Sequence, residues 1–138
     1  MIDSPGKSES SLELSNSILI VDDDFAMRHI MKNMLAQFTD FQLLEAHNGM
    51  KAVDLIMEFL PRLVFLDVSM PVLNGVEVLE YLKKVELVDK IRVIMCTAEG
   101  NIKTVKRALE LGAVDYIKKP FEPQTIINKT NKWLSHQE

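Results

Sequence analysis

Residue types that can bind a metal ion or a phosphate follow four of the five apolar runs in this chain. The second run, residues 41–46, ends with nothing reactive. The residues at the other four ends are acidic, hydroxyl-bearing or basic: Asp22, Asp23 and Asp24 after the first run, Asp67 at the end of the third, Thr97 after the fourth, and Lys118 and Lys119 after the fifth. If the runs are strands of one sheet, these side chains meet at one end of it and form a single site.

Three of these carboxylates, Asp22, Asp23 and Asp67, would repel one another at close range, and each would raise the pKa of the others. A hard divalent cation removes that conflict, and Mg²⁺ prefers a few carboxylate oxygens while it leaves room for a phosphate oxygen. Lys119 would add a second positive charge, and Thr97 would add a neutral hydroxyl donor. This combination suits phosphoryl transfer, in which a carboxylate can act as the nucleophile and become an aspartyl phosphate.

The segments that carry these residues alternate between strand and helix patterns. The apolar runs begin near residues 18, 41, 63, 91 and 113, with helix-periodic segments between them. Runs that are apolar at nearly every position are typical of strands covered on both faces. We therefore predict an α/β fold, a five-stranded parallel sheet with helices on both faces, doubly wound and flavodoxin-like. The strand order 2-1-3-4-5 explains the unreactive second run, because it puts that strand on an edge, away from the site.

Each helical segment shows one apolar face. The residues of these faces are Met27, Ile30, Met31, Met34, Leu35 and Phe38; Ala52, Val53, Ile56 and Leu60; Val76, Leu79 and Leu82; Ile102, Val105 and Leu109; and Ile126, Ile127, Thr130, Trp133 and Leu134. Asp24 predicts a helix N-cap, Pro123 predicts a first helical turn, and Gly112 predicts a helix stop. Asn48-Gly49 is most simply a turn.

Length and composition limit the organisation and the partners. A chain of 138 residues, 47% hydrophobic and 26% charged, is typical of one globular domain. We predict a flexible tail over residues 1–16 and one folded domain over 17–138, with no output domain. The net charge of −4 argues against nucleic-acid binding. One cysteine, no apolar stretch of membrane-spanning length and no signal-like start predict a cytoplasmic protein without a membrane partner.

Five motifs together resemble the receiver domain of two-component response regulators, in particular the single-domain regulators of chemotaxis. They are Ile18-Leu19-Ile20-Val21-Asp22-Asp23-Asp24, Leu66-Asp67-Val68-Ser69-Met70-Pro71, Asn74-Gly75, Cys96-Thr97-Ala98 and Asp115-Tyr116-Ile117-Lys118-Lys119-Pro120-Phe121. The resemblance covers residues 17–137. Five motifs in the right order and spacing are far more specific than any one of them.

The resemblance implies a role for each residue of the site. Asp67 would accept a phosphoryl group from the phosphohistidine of a sensor histidine kinase, and Lys119 would pair with that group. Asp23 and Asp67 would bind Mg²⁺ through their side chains, and Ser69 would bind it through its backbone carbonyl. Asp22 would act mainly through a metal-bound water.

The resemblance also implies a switch and a partner surface. Thr97 would hydrogen-bond to the phosphoryl group and move toward it, and Tyr116 would turn inward into the space that Thr97 leaves. The Lys119-Pro120 bond resembles the cis peptide bond of the family. Phosphorylation adds about −1.5 to −2 charges, which would reset the surface of the fourth helix, fifth strand and fifth helix. That surface would bind a downstream protein and would be locally basic through Lys103, Lys106, Arg107 and Lys118.

Other interpretations stay open from the sequence alone. The predicted function is that of a single-domain response regulator; the alternatives are a phosphorelay intermediate that donates phosphate to a histidine phosphotransfer domain, and a receiver fragment of a longer regulator. An aspartate-nucleophile phosphatase needs a second acid two residues after the nucleophile, where this chain has Ser69. A phosphate-independent scaffold is expected to have a damaged acidic cluster, and this one is intact. We expect a monomer that is not an enzyme beyond its own phosphorylation and dephosphorylation.

Overall fold

The computed structural model describes residues 12–70, 72–98 and 102–135, and strands and helices alternate there as predicted. The strands are β1 Ser15–Val21, β2 Gln42–Ala46, β3 Pro61–Asp67, β4 Arg92–Thr97 and β5 Asp115–Lys118. The helices of the same residues are α1 Phe25–Ala36, α2 Gly49–Phe59, α3 Gly75–Lys84, α4 Ile102–Leu111 and α5 Pro123–Leu134. Most of the predicted tail, residues 1–11, lies outside the described residues, and β1 begins at residue 15, within the last part of that tail.

The five strands form one parallel sheet in the order β2-β1-β3-β4-β5, which confirms the predicted fold class and strand order. The register sets the carboxyl ends of neighbouring strands side by side. Asp67 at the end of β3 lies opposite Cys96, and Thr97 at the end of β4 lies opposite Lys118. The edge strand β2 pairs only with β1 among the described strands, as expected for a strand away from the switch in strand order.

Alternating residues of the inner strands divide the core into two layers. In β1, Leu19 and Val21 belong to the cluster that includes residues of α2, α3 and α4. Ile18 and Ile20 belong to the opposite cluster, which includes residues of α1 and α5. Because both faces of β1, β3 and β4 are covered, these strands are apolar at nearly every position. The rigid two-sided core holds the carboxyl ends of the strands, and therefore the site, in fixed register.

Two of the predicted apolar helix faces are partly wrong. In α1, Ile30 is 50% exposed, although Met31 and Leu35 of the same predicted face are buried. In α4, Ile102 is 71% exposed and Leu109 is 43% exposed, whereas the buried positions are those of residues 108 and 111. The buried stripe of α4 is thus rotated by about 100°, one residue step, from the predicted face. The pattern favoured Ile102 and Leu109, and the contact with the core uses Ala108 and Leu111 instead.

Three predicted helix-end signals are confirmed. Asp24 is the N-cap of α1, and its Oδ1 accepts a hydrogen bond from the Ala26 N–H at 2.9 Å. Pro123 occupies the first turn of α5. Gly112 follows the end of α4 with φ +118°, a backbone conformation that glycine adopts without strain. No helix within the described ranges is long and apolar enough to cross a membrane.

The prediction of a turn at Asn48-Gly49 is wrong. Asn48 is the N-cap of α2, and its Oδ1 accepts a hydrogen bond from the Lys51 N–H at 2.8 Å. Gly49 is the first helical residue, and a Cβ there would lie 2.1 Å from the carbonyl oxygen of Leu73. Asparagine favours turns and N-caps for the same reason, a short side chain that accepts from a nearby N–H, so the local sequence did not separate the two.

Val72, in the loop between β3 and α3, has a backbone φ of 72° and a side chain that is 75% exposed. A β-branched residue is strained there. We expect Val72→Gly to raise the free energy of unfolding by about 0.5–1 kcal/mol, because the relief of strain exceeds the added chain entropy of glycine. Urea unfolding measures this change. Val72→Ala is the matched control and should gain less than half as much, since it keeps a Cβ. An unchanged or lower stability of Val72→Gly would contradict the prediction.

Candidate functional site

The predicted site forms at the carboxyl end of the sheet, where several strands end side by side. Asp22 and Asp23 follow β1, Asp67 ends β3, Thr97 ends β4 and Lys119 follows β5. One carboxylate oxygen from each of Asp22, Asp23 and Asp67 lies within 4.8 Å of the other two. The fold therefore brings together the three carboxylates that the sequence analysis grouped.

Lys119 is the basic residue of this cluster. Its Nζ lies 2.9 Å from Asp22 Oδ2 and 3.2 Å from Asp67 Oδ1, whereas the neighbouring Lys118 is exposed. Burial by itself would lower the pKa of Lys119, but the hydrogen bond to Asp22 and the charges of both aspartates outweigh burial and raise it. Lys119 is therefore charged at neutral pH and bridges the ends of β1 and β3. The Lys119-Pro120 peptide bond is cis, as the resemblance implied.

Asp67 is a buried carboxyl group whose ionisation is disfavoured in the metal-free protein. It is 4% exposed. Burial and the charge of Asp22 raise the pKa of Asp67 to about 6, although Lys119 and the Ser69 N–H oppose the rise. That N–H lies 3.4 Å from Asp67 Oδ1. One lysine thus leaves a cluster of three carboxylates short of positive charge, and a further cation would relieve it.

The donor atoms of the cluster fit a hard divalent cation. Carboxylate oxygens and backbone carbonyl oxygens are ligands that Mg²⁺ prefers, and a site with few protein ligands leaves positions for water and a phosphate oxygen. Asp23 is exposed. Beside it an open depression of about 530 Å³ is lined by Asp23, Val68, Ser69, Met70, Asn74, Val76 and Thr104. A cation and a phosphoryl group therefore have a route to the cluster from solvent.

The two predicted switch residues lie in different surroundings. Thr97 is 2% exposed, and its hydroxyl donates a hydrogen bond to the Ala98 carbonyl at 3.1 Å. Tyr116, on β5, is 44% exposed. The Lys119 N–H donates to the Thr97 carbonyl at 2.8 Å, which ties the lysine of the cluster to the end of β4. The structure places Thr97 beside the site and Tyr116 at the surface, and the coupled movement of the two stays a prediction.

A glycine brings α3 against the main chain of Asp67. A Cβ at Gly75 would lie 2.4 Å from the Asp67 carbonyl oxygen, so glycine is required for this approach. The Gly75 N–H donates to the Val68 carbonyl at 3.0 Å. Asn74 caps α3 in a reciprocal capping box with Glu77. The Asn74-Gly75 motif therefore determines where the chain that follows Asp67 turns into α3.

Two residues that the sequence analysis did not single out support the site from behind. Arg28, in α1, donates from Nη1 to the Asp22 carbonyl at 2.6 Å, and its Nε lies 3.1 Å from Glu45 Oε1 on β2. An arginine in a first helical turn and a glutamate in an edge strand are also common on solvent-exposed surfaces. No local spacing therefore distinguishes them, and only the packing of α1 beside β2 brings the two together with Asp22.

Known proteins share both the sequence pattern and the fold. A family model described as the response regulator receiver domain matches residues 18–131. The chemotaxis protein CheY of Bacillus subtilis is 36% identical over 122 residues, which cover 88% of this chain and 100% of that protein. The sporulation initiation phosphotransferase F of the same species is 35% identical over 121 residues, which cover 88% of this chain and 95% of that protein.

The crystal structure of the receiver domain of NtrX from Brucella abortus superimposes with a TM-score of 0.79 at 31% identity, and the match covers 86% of this chain and 98% of that one. This superposition confirms the fold without relying on the number or order of the strands. The five motifs, the strand order and the acidic cluster beside a lysine are all accounted for by one family. The chain belongs to the response regulator receiver domain family of two-component systems.

Proposed function

We propose that this chain is a response regulator receiver domain in which Asp67 accepts a phosphoryl group from a sensor histidine kinase in the presence of Mg²⁺. One observation carries the proposal: Asp67 is buried at the base of the acidic cluster with the Nζ of Lys119 3.2 Å from its Oδ1. A carboxylate of this kind is a nucleophile with its countercharge already in place. The cytoplasmic location and the monomeric state stay predictions.

Each residue of the cluster has a separate role in the proposed phosphoryl transfer. A carboxylate oxygen of Asp67 forms a new bond to phosphorus as the bond between phosphorus and the kinase histidine breaks, and the imidazole leaves with its electron pair. The Lys119 ammonium pairs with the oxygens of the transferred group, and the Thr97 hydroxyl donates to them. Asp22, Asp23, Asp67 and the Ser69 carbonyl would hold Mg²⁺, which supplies charge neutralisation when bound.

The surface of α4, β5 and α5 is the proposed binding site for a downstream protein. Three large apolar side chains are exposed there, those of Ile102, Leu109 and Tyr116, at 71%, 43% and 44%. Large apolar side chains exposed on neighbouring elements are consistent with an interaction site. Arg107 lies 3.6 Å from a carboxylate oxygen of Glu80 and also approaches Glu110, so its charge is partly offset. The surface is therefore mixed apolar and basic, and less basic than the sequence alone predicts.

A second candidate function is that of a phosphorelay intermediate, which donates its phosphoryl group to a histidine phosphotransfer domain. The similarity to a protein named as a sporulation phosphotransferase supports this candidate, and the similarity to a chemotaxis protein supports target binding. The two are separated by incubating the phosphorylated chain with histidine phosphotransfer domains. Transfer of the label to histidine favours the relay, and phosphate-dependent capture of a target without transfer favours the switch.

We expect Asp67→Asn to abolish incorporation of a phosphoryl group from acetyl phosphate with Mg²⁺, because the amide is not a nucleophile. Intact-mass spectrometry measures the mass increase of one phosphoryl group. Asp24→Asn is the matched control: it keeps the helix cap and lies beside the cluster, so it should be labelled like the wild type. Labelling of Asp67→Asn at the wild-type level would refute Asp67 as the acceptor.

The charge cluster predicts a pH-dependent effect of Asp67→Asn on stability. The pKa of Asp67 in the folded protein is raised to about 6 from its ordinary 3.8, so ionisation of Asp67 lowers the free energy of unfolding as pH rises through that window. A shift of this size corresponds to at most about 3 kcal/mol, and loss of the ion pair with Lys119 offsets part of it. We expect the metal-free variant to be more stable than the wild type by about 1 kcal/mol near pH 7.5, and nearly equal near pH 4.

Urea unfolding in the presence of a chelator measures this difference at the two pH values. Mg²⁺ should then stabilise the wild type but not Asp67→Asn, since ligands that bind the folded state stabilise it. Asp89→Asn, an exposed carboxylate just before β4 at the opposite end of the sheet, is the control and should show no such pattern. Lower stability of Asp67→Asn at both pH values would show that Asp67 does not carry an unfavourable charge.

The proposed switch predicts that Thr97→Ala separates phosphorylation from the surface change. Beryllofluoride, a stable mimic of the phosphoryl group, should shift the ¹⁹F signal of fluorotyrosine at Tyr116 in the wild type, because Tyr116 would leave solvent. Thr97→Ala should still bind beryllofluoride, but the Tyr116 signal should move less than half as far. Tyr116→Phe assigns the signal against that of Tyr81. An equal shift in Thr97→Ala would rule out Thr97 as the link.

A further inference from the structure

Every polar atom of Asp22 has a hydrogen-bonding partner. Its N–H donates to the Ala46 carbonyl at 3.1 Å, and its carbonyl accepts from Arg28 Nη1 at 2.6 Å. Its Oδ1 accepts from the Asp24 N–H at 2.9 Å, and its Oδ2 accepts from Lys119 Nζ at 2.9 Å. The two side-chain bonds belong to the site already described. The two main-chain bonds come from β2 and α1, which contribute no residue to the acidic cluster.

Arg28 joins those two elements through one planar group. Its Nη1 donates to Asp22 while its Nε lies 3.1 Å from Glu45 Oε1, and the other oxygen of Glu45 lies 3.0 Å from Lys32 Nζ. The side chain of Arg28 is 13% exposed, against 42% for Lys32. Burial by itself would raise the pKa of Glu45, but Lys32 and Arg28 outweigh burial and lower it, so the carboxylate stays charged. The guanidinium group of Arg28 is thus fixed by two acceptors, the Asp22 carbonyl and the Glu45 carboxylate.

We propose that Arg28, held in place by Glu45, is a positioning residue that sets the backbone of Asp22 and thereby the geometry of the acidic cluster. Arg28 donates to the main-chain carbonyl of Asp22 and not to its side-chain carboxylate, so it orients Asp22 without occupying an oxygen that a cation would use. The expected effect of Arg28 on Mg²⁺ affinity rests on the proposed function. The expected effect of Arg28 on the order of the Asp22–Asp24 backbone does not depend on that function. The edge strand, which ends with nothing reactive, would contribute to the site in this way.

Loss of charge and loss of the hydrogen bond to Asp22 predict opposite effects of Arg28→Gln on Mg²⁺ affinity. Arg28→Gln removes a positive charge close to a cation site, so electrostatics alone would make Mg²⁺ bind more tightly. Loss of the hydrogen bond to the Asp22 carbonyl would loosen the ligand and weaken binding, and changes behind a metal ligand typically cost about 10–100-fold in affinity. Arg28→Lys keeps the charge but cannot hold two acceptors in the fixed geometry of the guanidinium.

The experiment compares Arg28→Gln, Arg28→Lys and Lys32→Gln with the wild type. Lys32→Gln is the matched control, because it removes a positive charge and a Glu45 partner without touching Asp22. NMR titration measures the Mg²⁺ dissociation constant, and hydrogen exchange of the Asp24 amide in metal-free protein measures the order of the loop. We expect both Arg28 variants to bind Mg²⁺ about tenfold more weakly and to exchange the Asp24 amide about tenfold faster, with Lys32→Gln within about twofold of the wild type.

Arg28→Gln binding Mg²⁺ as tightly as the wild type or more tightly, or an unchanged Asp24 exchange rate in both Arg28 variants, would overturn the proposal. A comparable loss in Lys32→Gln would also overturn it, because the effect would then follow charge or the α1–β2 contact. If Arg28→Gln does not fold, the Mg²⁺ affinity and the Asp24 exchange rate of Arg28→Lys test the proposal. If the wild type does not bind Mg²⁺, the proposed function is refuted, and the exchange rates still test the role of Arg28 in ordering the backbone.

Discussion

The close approach of two buried carboxylates, Asp22 and Asp67, around the ammonium of Lys119 is the constraint on which the rest of the structure depends. Like charges this close are unfavourable in a poorly solvated site, and one lysine does not balance them once Asp23 is added. The folded state stays stable despite this repulsion, because apolar side chains buried on both faces of the sheet stabilise the strands that carry the charges. The remaining deficit of positive charge favours the binding of a cation at this cluster.

The strand order converts residues far apart in the chain into neighbours. β1 and β3 pair at the centre of the sheet, so the ends that carry Asp22 and Asp67 are adjacent, and β5 supplies Lys119 from beyond β4. The edge strand has a different part. The Ala46 carbonyl holds the Asp22 N–H, and Glu45 holds the arginine that reaches the Asp22 carbonyl. An element can therefore support a site without contributing a reacting group to it.

The end of β4 lies close both to this site and to the exposed residue Tyr116 of β5. Thr97 is buried beside the cluster and lies opposite Lys118 in β5, only two residues beyond the exposed ring of Tyr116. α4, which precedes β5 in the chain, exposes Ile102 and Leu109 to solvent. Of the described residues of α4, only Ala108 and Leu111 are buried, and a helix with few buried contacts has fewer to break than one with many. The proposed switch would use this helix, which would shift when the charge at Asp67 changes.

The sequence by itself determined the fold class, the strand order and the members of the acidic cluster, because continuous apolar runs, helical periods and strand-end residues are all local features. It also identified Asp24 as a cap and Lys119 as the lysine beside the cluster. Only the tertiary structure decided that Asn48 begins a helix, that α4 faces the sheet through residue 108 and not through Leu109, and that Arg28 and Glu45 reach Asp22. Those outcomes depend on how one element packs against another. Packing between segments far apart in the chain produces no periodic pattern of residue types in either segment, so the sequence alone does not reveal it.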